Sequence, residues 1–136
     1  MKSSKTVASC PCGSGAEYGA CCGRFIDHPE QAAPTAEALM RSRYTAYTRL
    51  DEVYLLRTWH PDTRPETLGL DEDAGRIKWL ELDVMRSAAG LAGDQEGMVE
   101  FQARYKLNGR AMRIHEASCF LFVDGRWYYR DGEIFE

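Results

Sequence analysis

The sequence lacks any long apolar run, any cysteine between Cys22 and Cys119, any internal repeat and any excess of positive charge. Each absence excludes something. Its longest apolar stretches, such as Ala117 to Val123, fall far short of the roughly 20 residues that cross a bilayer, so no transmembrane helix and no membrane partner is expected. The opening MKSSKTVASC carries Lys2 and Lys5 but no apolar core of the kind a secretory signal requires. The expected location is therefore the cytoplasm, where thiols stay reduced. The net charge is -4, and it is unevenly spread. Residues 1–24 hold Lys2, Lys5 and Arg24 against Glu17, leaving 14 basic and 20 acidic residues for the rest. A body with that balance is not built to coat duplex nucleic acid, although it can carry a local basic patch. What remains is a chain of 136 residues, 44% hydrophobic, long enough for one ordinary packed domain and a small appendage.

The appendage is marked by its cysteines. Four of the five fall between Cys10 and Cys22, as Cys10-x-Cys12, eight intervening residues, then Cys21 beside Cys22. Three readings compete. A disulfide knot would leave Cys119 over and would pair the adjacent Cys21 and Cys22 only through a strained ring. An iron–sulfur cluster uses the same four thiolates, at spacings that usually differ from this one. Structural zinc is favoured: four thiolates close a tetrahedron, and the loop need only fold back on itself. Gly13 and Gly15 permit that fold, Pro11 stiffens the first ligand pair, and Ser14 is placed to cap the turn before Tyr18. A segment this short has almost no core of its own, so its folding is expected to depend on the metal.

After a polar linker from Asp27 to Pro34 the period turns helical. Thr35 is a helix cap, and Ala36, Leu39, Met40, Tyr47 and Leu50 share one face of a helix predicted over 36–50. Asp51 starts a second helix over 52–58, which Pro61 closes, and a short helical piece is expected around 65–71. From Arg76 the period becomes two, clearest where Val99, Phe101, Ala103, Tyr105 and Leu107 alternate with charged and polar residues. Asn108-Gly109 and Asp124-Gly125 tolerate the positive φ angles of tight hairpins. Four strands follow, over 76–86, 97–107, 110–123 and 126–134, in an antiparallel meander. Helices first and strands afterwards give an α+β fold in which the long helix lies across a curved sheet.

Two resemblances refine this reading. The stretch "CPCGSGAEYGACCG" resembles the SEC-C motif, best known from the C-terminus of the preprotein translocase motor SecA, and Cys10, Cys12, Cys21 and Cys22 match its four zinc ligands. That likeness implies one structural Zn²⁺ per chain. It also points to the ribosome or the export chaperone SecB as the kind of partner. The chain departs from the SecA pattern where Ala16, Glu17, Gly19 and Ala20 surround Tyr18, since SecA tails flank that tyrosine with lysines. "LMRSRYTAY" at 39–47, "TWHP" at 58–61 and "DGRWYYRDG" at 124–132 resemble the bacterial YchJ family over essentially the whole chain. This implies a zinc knuckle over residues 1–24 and, over 25–136, a cone-shaped domain similar to nuclear transport factor two and ketosteroid isomerase, the cystatin-like fold.

Cones of this type enclose a pocket between helix and sheet. The candidates for it are Trp59, His60, His115, Glu116, Tyr128 and Tyr129, and the favoured lining is Tyr44, Trp59, His60, Glu116 and Tyr128. His115 and Glu116 are neighbours on a strand and point to opposite faces. If Met112, Ile114, Phe120 and Phe122 face inward, Glu116 and Ser118 do too. An inward Glu116 is read as the structural partner of Arg41 or Arg43 rather than as a general base, because a buried carboxylate must be neutralised. Cys119 reads as a small buried hydrophobe. No catalytic residue is assigned. The expected function is a cytoplasmic zinc-binding adaptor linked to translation or protein export. The alternative is a small-molecule-binding protein or acid–base enzyme using the pocket, and homodimerisation through the outer sheet face is compatible with both.

Overall fold

The computed structural model describes residues 9–135, so Lys2 and Lys5 lie outside the described residues. A turn of 3-10 helix at Tyr18–Ala20 leads into helix α1 (Gly23–Ile26), then α2 (Ala36–Thr48), α3 (Glu52–Arg57) and a second 3-10 turn at Leu70–Asp73. Strands β1 (Ile77–Ala89), β2 (Glu96–Leu107), β3 (Arg110–Val123) and β4 (Arg126–Phe135) follow. The class is α+β, as read from the sequence.

Local chemistry sets the helix ends. Thr35 is extended, and its Oγ1 accepts from the Ala38 amide at 3.1 Å, occupying a donor the first turn of α2 cannot pair internally. α2 stops at Thr48, two residues short of expectation, because Leu50 takes a left-handed conformation (φ 57°) and the Asp51 amide returns to the Ala46 carbonyl at 2.9 Å. Leu50 is consequently exposed rather than part of the buried face. Asp51 caps α3 by accepting from the Tyr54 amide at 3.1 Å. The two helices are pinned by a satisfied polar pair: the Tyr54 and Ser42 hydroxyls meet at 2.6 Å, and Ser42 Oγ donates to the Leu39 carbonyl at 2.7 Å. Leu55, fully buried, completes the joint.

The helix expected around 65–71 does not form, and only Leu70–Asp73 turns, as 3-10. Glu52 Oε2 takes the Leu68 amide at 3.2 Å and the Thr67 hydroxyl at 3.1 Å, so this segment's donors go to a carboxylate on α3 instead of to carbonyls of its own helix.

The sheet runs β1-β2-β3-β4, antiparallel throughout. Both predicted hairpins have positive φ at their two central residues, 51° and 84° at Asn108-Gly109 and 50° and 85° at Asp124-Gly125, the geometry whose twist matches the strands they join. β1 runs past Arg86 because Ser87, Ala88 and Ala89 pair with Val99, Met98 and Gly97. Register shifts in β1 after Trp79 and Val84, and between β3 and β4 at Cys119/Phe120, bend the sheet around α2. The free edge of β4 is closed by the chain after α3: the His60 amide donates to the Tyr129 carbonyl at 2.7 Å and the Tyr129 amide to the Thr58 carbonyl at 2.9 Å. That cover interrupts the open edge at Tyr129.

The core lies between α2 and the inner face, where Leu39, Met40 and Tyr44 meet Leu82, Val99, Ala103, Phe120 and Trp127. Met112 and Phe122 share that face by alternation, but they sit near the ends of β3, beyond the reach of α2, and are 38% and 39% exposed. Cys119 is on the outer face and exposed, which corrects its reading as a buried hydrophobe. No helix among the described residues is long and apolar enough to cross a membrane.

Candidate metal centre and cone cavity

The cysteine loop is built by its backbone. Ser9 and Glu17 form an antiparallel bridge, the Cys10 amide donates to the Ala16 carbonyl at 2.8 Å, and Gly13, at φ 82°, lets its own amide reach the Cys10 carbonyl at 3.1 Å. Cys21 and Cys22 return at the entry to α1, their carbonyls accepting from Arg24 and Phe25 at 3.1 and 3.0 Å. All four sulfur atoms lie within 4.8 Å of one another and all four residues are buried. Cys12 and Cys21 Sγ are 3.6 Å apart. A tetrahedron of metal–sulfur bonds near 2.3 Å has sulfur–sulfur edges of about 3.8 Å, so the cage has the size a metal ion needs.

The body supplies much of its wall. Thr45, in the middle of α2 and without solvent exposure, donates its hydroxyl to Cys22 Sγ at 3.3 Å and lies 3.6 Å from Cys10 Sγ. Arg41 Nη1 donates to the Cys12 carbonyl at 3.0 Å while its Nε pairs with Glu37 at 3.0 Å. Ser14 Oγ accepts from the Ala16 amide at 3.2 Å, which frees its proton for Cys21 Sγ at 3.1 Å. Cys12 and Cys22 act on each other through their hydrogen bond. Cys12 is held down to about 4, chiefly by the hydrogen bond from Cys22, and Cys22 is pushed up, first by that same bond and then by burial. Four thiolates crowded this closely repel one another, and a divalent ion would favour all four together.

Positive charge reaches the knuckle from outside its own sequence. The Arg49 guanidinium lies 4.3 Å from the centre of the Tyr18 ring, and Tyr18 is raised to about 12, first by burial and against the pull of Arg49. Arg57 Nη2 donates to the Phe25 carbonyl at 3.3 Å, and the knuckle's own Arg24 donates through Nε to the Cys21 carbonyl at 2.8 Å.

A cavity of about 250 Å³ lies under α2 against the inner face. Of the predicted lining, Tyr44, Trp59 and Glu116 are there; His60 and Tyr128 are not. The correction follows from strand parity. Trp59 bridges Tyr129 in parallel, so both face inward, while His60 and Tyr128 face outward and meet edge to face with ring centres 6.1 Å apart. Tyr129, a candidate passed over in favour of Tyr128, also lines it, with Trp79, Tyr47 and Arg43, which the sequence does not single out for it. Only parity carried through the irregular register of β4 chooses Tyr129 over Tyr128.

Glu116 pairs with neither expected arginine. Its Oε2 accepts from Ser118 Oγ at 2.7 Å and from the Tyr129 hydroxyl at 3.1 Å. Gly132 makes room for it, since a Cβ there would collide with Oε2. Arg43 is buried and donates to the Leu55 carbonyl and Thr58 Oγ1 at 2.8 and 2.7 Å, with Trp59 and Tyr129 stacked on it at 5.0 and 4.6 Å. Burial lowers the proton affinity of Arg43 and raises that of Tyr129, where Glu116 adds to the rise. His115 faces outward and bonds Glu100 at 2.6 Å.

Comparison with known proteins places both parts. Residues 35–132 match the family model of the YchJ middle domain, described as NTF2-like, and residues 8–24 match that of the SEC-C motif. A UPF0225 protein of Chromobacterium violaceum is 59% identical over 133 residues, covering 97% of this chain and 98% of the relative. The solution structure of a SEC-C motif containing protein from Rhodopseudomonas palustris superposes with a TM-score of 0.81 at 37% identity, covering 93% of this chain and 98% of that one. The crystal structure of a SEC-C motif containing protein from Psychrobacter arcticus gives a TM-score of 0.76 at 25% identity, with 93% and 82% covered.

Proposed function

The chain belongs to the YchJ family, and from that membership we propose that it is a cytoplasmic adaptor whose zinc-held knuckle docks on a macromolecular partner in translation or protein export. The observation that carries this reading is the closed cage of four buried cysteines. A four-sulfur site leaves no open position for a water nucleophile, so its metal shapes the chain and performs no hydrolysis. Zinc suits four thiolates in a tetrahedron and does no redox chemistry of its own.

The surface that the cage shapes supports a docking role. Pro11 and residues 13–17 are exposed around the part-buried Tyr18. In SEC-C tails of the SecA type lysines accompany this tyrosine; here Arg49, from the end of α2, lies against its ring. Arg24 and Arg49 are exposed beside Glu17 and Asp27, the latter accepting from the Tyr18 hydroxyl at 3.2 Å, and within this mixed surface the two arginines are the groups suited to an acidic protein surface or the phosphate of a ribosome.

Native mass spectrometry and co-sedimentation test the proposal together. The expected result is one zinc per chain and salt-sensitive co-sedimentation with ribosomes or complex formation with the export chaperone, lost in the Cys10→Ser/Cys12→Ser variant and weakened by Arg49→Glu. Iron in place of zinc, or a zinc-loaded protein that binds neither partner, overturns it.

A further inference from the structure

The cavity under α2 takes no part in the knuckle's chemistry, and its lining is specific enough to define what it accepts. Seven of its lining side chains are aromatic. Tyr44 and Tyr47 pack against Trp79 with ring centres 5.7 and 6.0 Å apart, and Trp59 stands edge-on to Tyr129 at 5.0 Å. Rings held this way offer flat faces and edges to another ring. An apolar cavity of roughly 150 Å³ admits one benzene. At about 250 Å³ this one has room for one or two fused rings.

Polar groups then select among flat molecules. Glu116 Oε2 is occupied by Ser118 and Tyr129, but among the described residues no side chain donates to Oε1. A carboxylate oxygen without a donor is a strong acceptor awaiting one. Arg43 is more fully engaged: its Nη1 donates to the Leu55 carbonyl and to Thr58 Oγ1, and its face is covered by two rings. One cation and one anion in the same wall balance each other. A charged guest would therefore bring an uncompensated charge into an aromatic enclosure, at a cost that grows as water is excluded.

We infer that the cavity binds a neutral, planar molecule of one or two fused rings that lies among Tyr44, Trp59 and Trp79 and donates one hydrogen bond to Glu116 Oε1. This site shares no residue with the sulfur cage, and the inference does not rest on the docking function. It requires no chemistry, only enclosure and a single directional bond.

The test uses four congeners of one shape, titrated into the metal-loaded full chain at neutral pH: 2-naphthol, naphthalene, 2-naphthoate and 2-naphthylmethylammonium. The indole N–H signals of Trp59 and Trp79 report binding by NMR, and that of Trp127, which donates to the Pro34 carbonyl at 3.3 Å, serves as the outside control. Expected is saturable binding of 2-naphthol that shifts Trp59 and Trp79 but not Trp127, with naphthalene and both charged congeners at least tenfold weaker. Ala103→Leu, which fills the cavity floor, should abolish binding in a folded protein. Glu116→Gln, which keeps the shape of the side chain, should shrink the advantage of naphthol over naphthalene to less than about threefold. Absence of saturable 2-naphthol binding, equal affinity for naphthalene, a charged congener binding tightest, or binding unaffected by both substitutions overturns the inference.

Discussion

Thr45 occupies a place where a threonine ordinarily turns its hydroxyl back to its own helix. Here the hydroxyl goes instead to Cys22 Sγ, from a side chain with no solvent contact. Donors to a ligating sulfur orient the ligand and offset its charge, and their loss typically costs 10–100-fold in metal affinity. Thr45→Val, which keeps the shape and removes the donor, should weaken zinc binding by about that factor in competition with a chromophoric chelator, and Thr45→Ser should restore most of it. Equal affinity of the valine variant would show that the hydroxyl does not act on the metal. The four cysteines were readable because such a cluster has few other uses in a reduced chain, and the caps Thr35 and Asp51 because capping is local. Thr45, Arg41 and Arg49 were not readable as partners of the knuckle. They meet it across separations such as the 23 residues from Cys22 to Thr45 and the 29 from Cys12 to Arg41, which no local pattern reports.

The last three strands were legible to within a residue, because period-two alternation and Asn-Gly and Asp-Gly turns are short-range signals, while β1 runs three residues past its expected end. The segment after Pro61 was not, since its shape is dictated by a carboxylate from another element. Glu52 is held below its ordinary 4.5, first by the Leu68 amide, and Glu100, on the outer face of β2, is held below the same value by His115 and then Arg86. A carboxylate whose folded value is depressed contributes stability that is complete above its unfolded value and is lost as pH falls through the folded one. Thermal stability should therefore decline as the medium is acidified below about pH 4.5. A Glu52→Gln/Glu100→Gln variant should melt lower than the native sequence at neutral pH, and the gap should narrow steadily as acid protonates the two carboxylates, as scanning calorimetry can measure. Parallel curves across the whole range would mean that neither contact matters to the fold. Parity explains the misplaced Tyr128 at this scale as well: a register shift beside Cys119/Phe120 and an unforeseen pairing with the chain after α3 decide which tyrosine faces inward.

The buried cluster of the molecule is continuous from the cysteines through Phe25 and Ile26 to Leu39, Met40 and the sheet. A chain in which the sulfur cage and the sheet share one helix is expected to unfold as one unit. Ligand binding to the native state alone stabilises the whole of it. Removing the metal with a strong chelator should lower the melting temperature in a single transition reported alike by near-ultraviolet dichroism and tryptophan fluorescence, by roughly 4 °C for each kcal/mol of binding lost. Two separate transitions, with the upper one unmoved, would show that knuckle and body melt apart. The α+β class was open to inspection of the sequence, and the cone came by likeness. The seating of the knuckle on α2 came from neither, because the contacting faces are polar and read as surface.

α2 therefore has two working flanks. Arg41 and Thr45 look toward sulfur; Met40, Arg43, Tyr44 and Tyr47 look toward the cavity. A rigid rod gripped from both sides cannot roll to suit one tenant without disturbing the other. By thermodynamic reciprocity, whatever factor an ion adds to the grip on a guest, the guest must add to the grip on the ion.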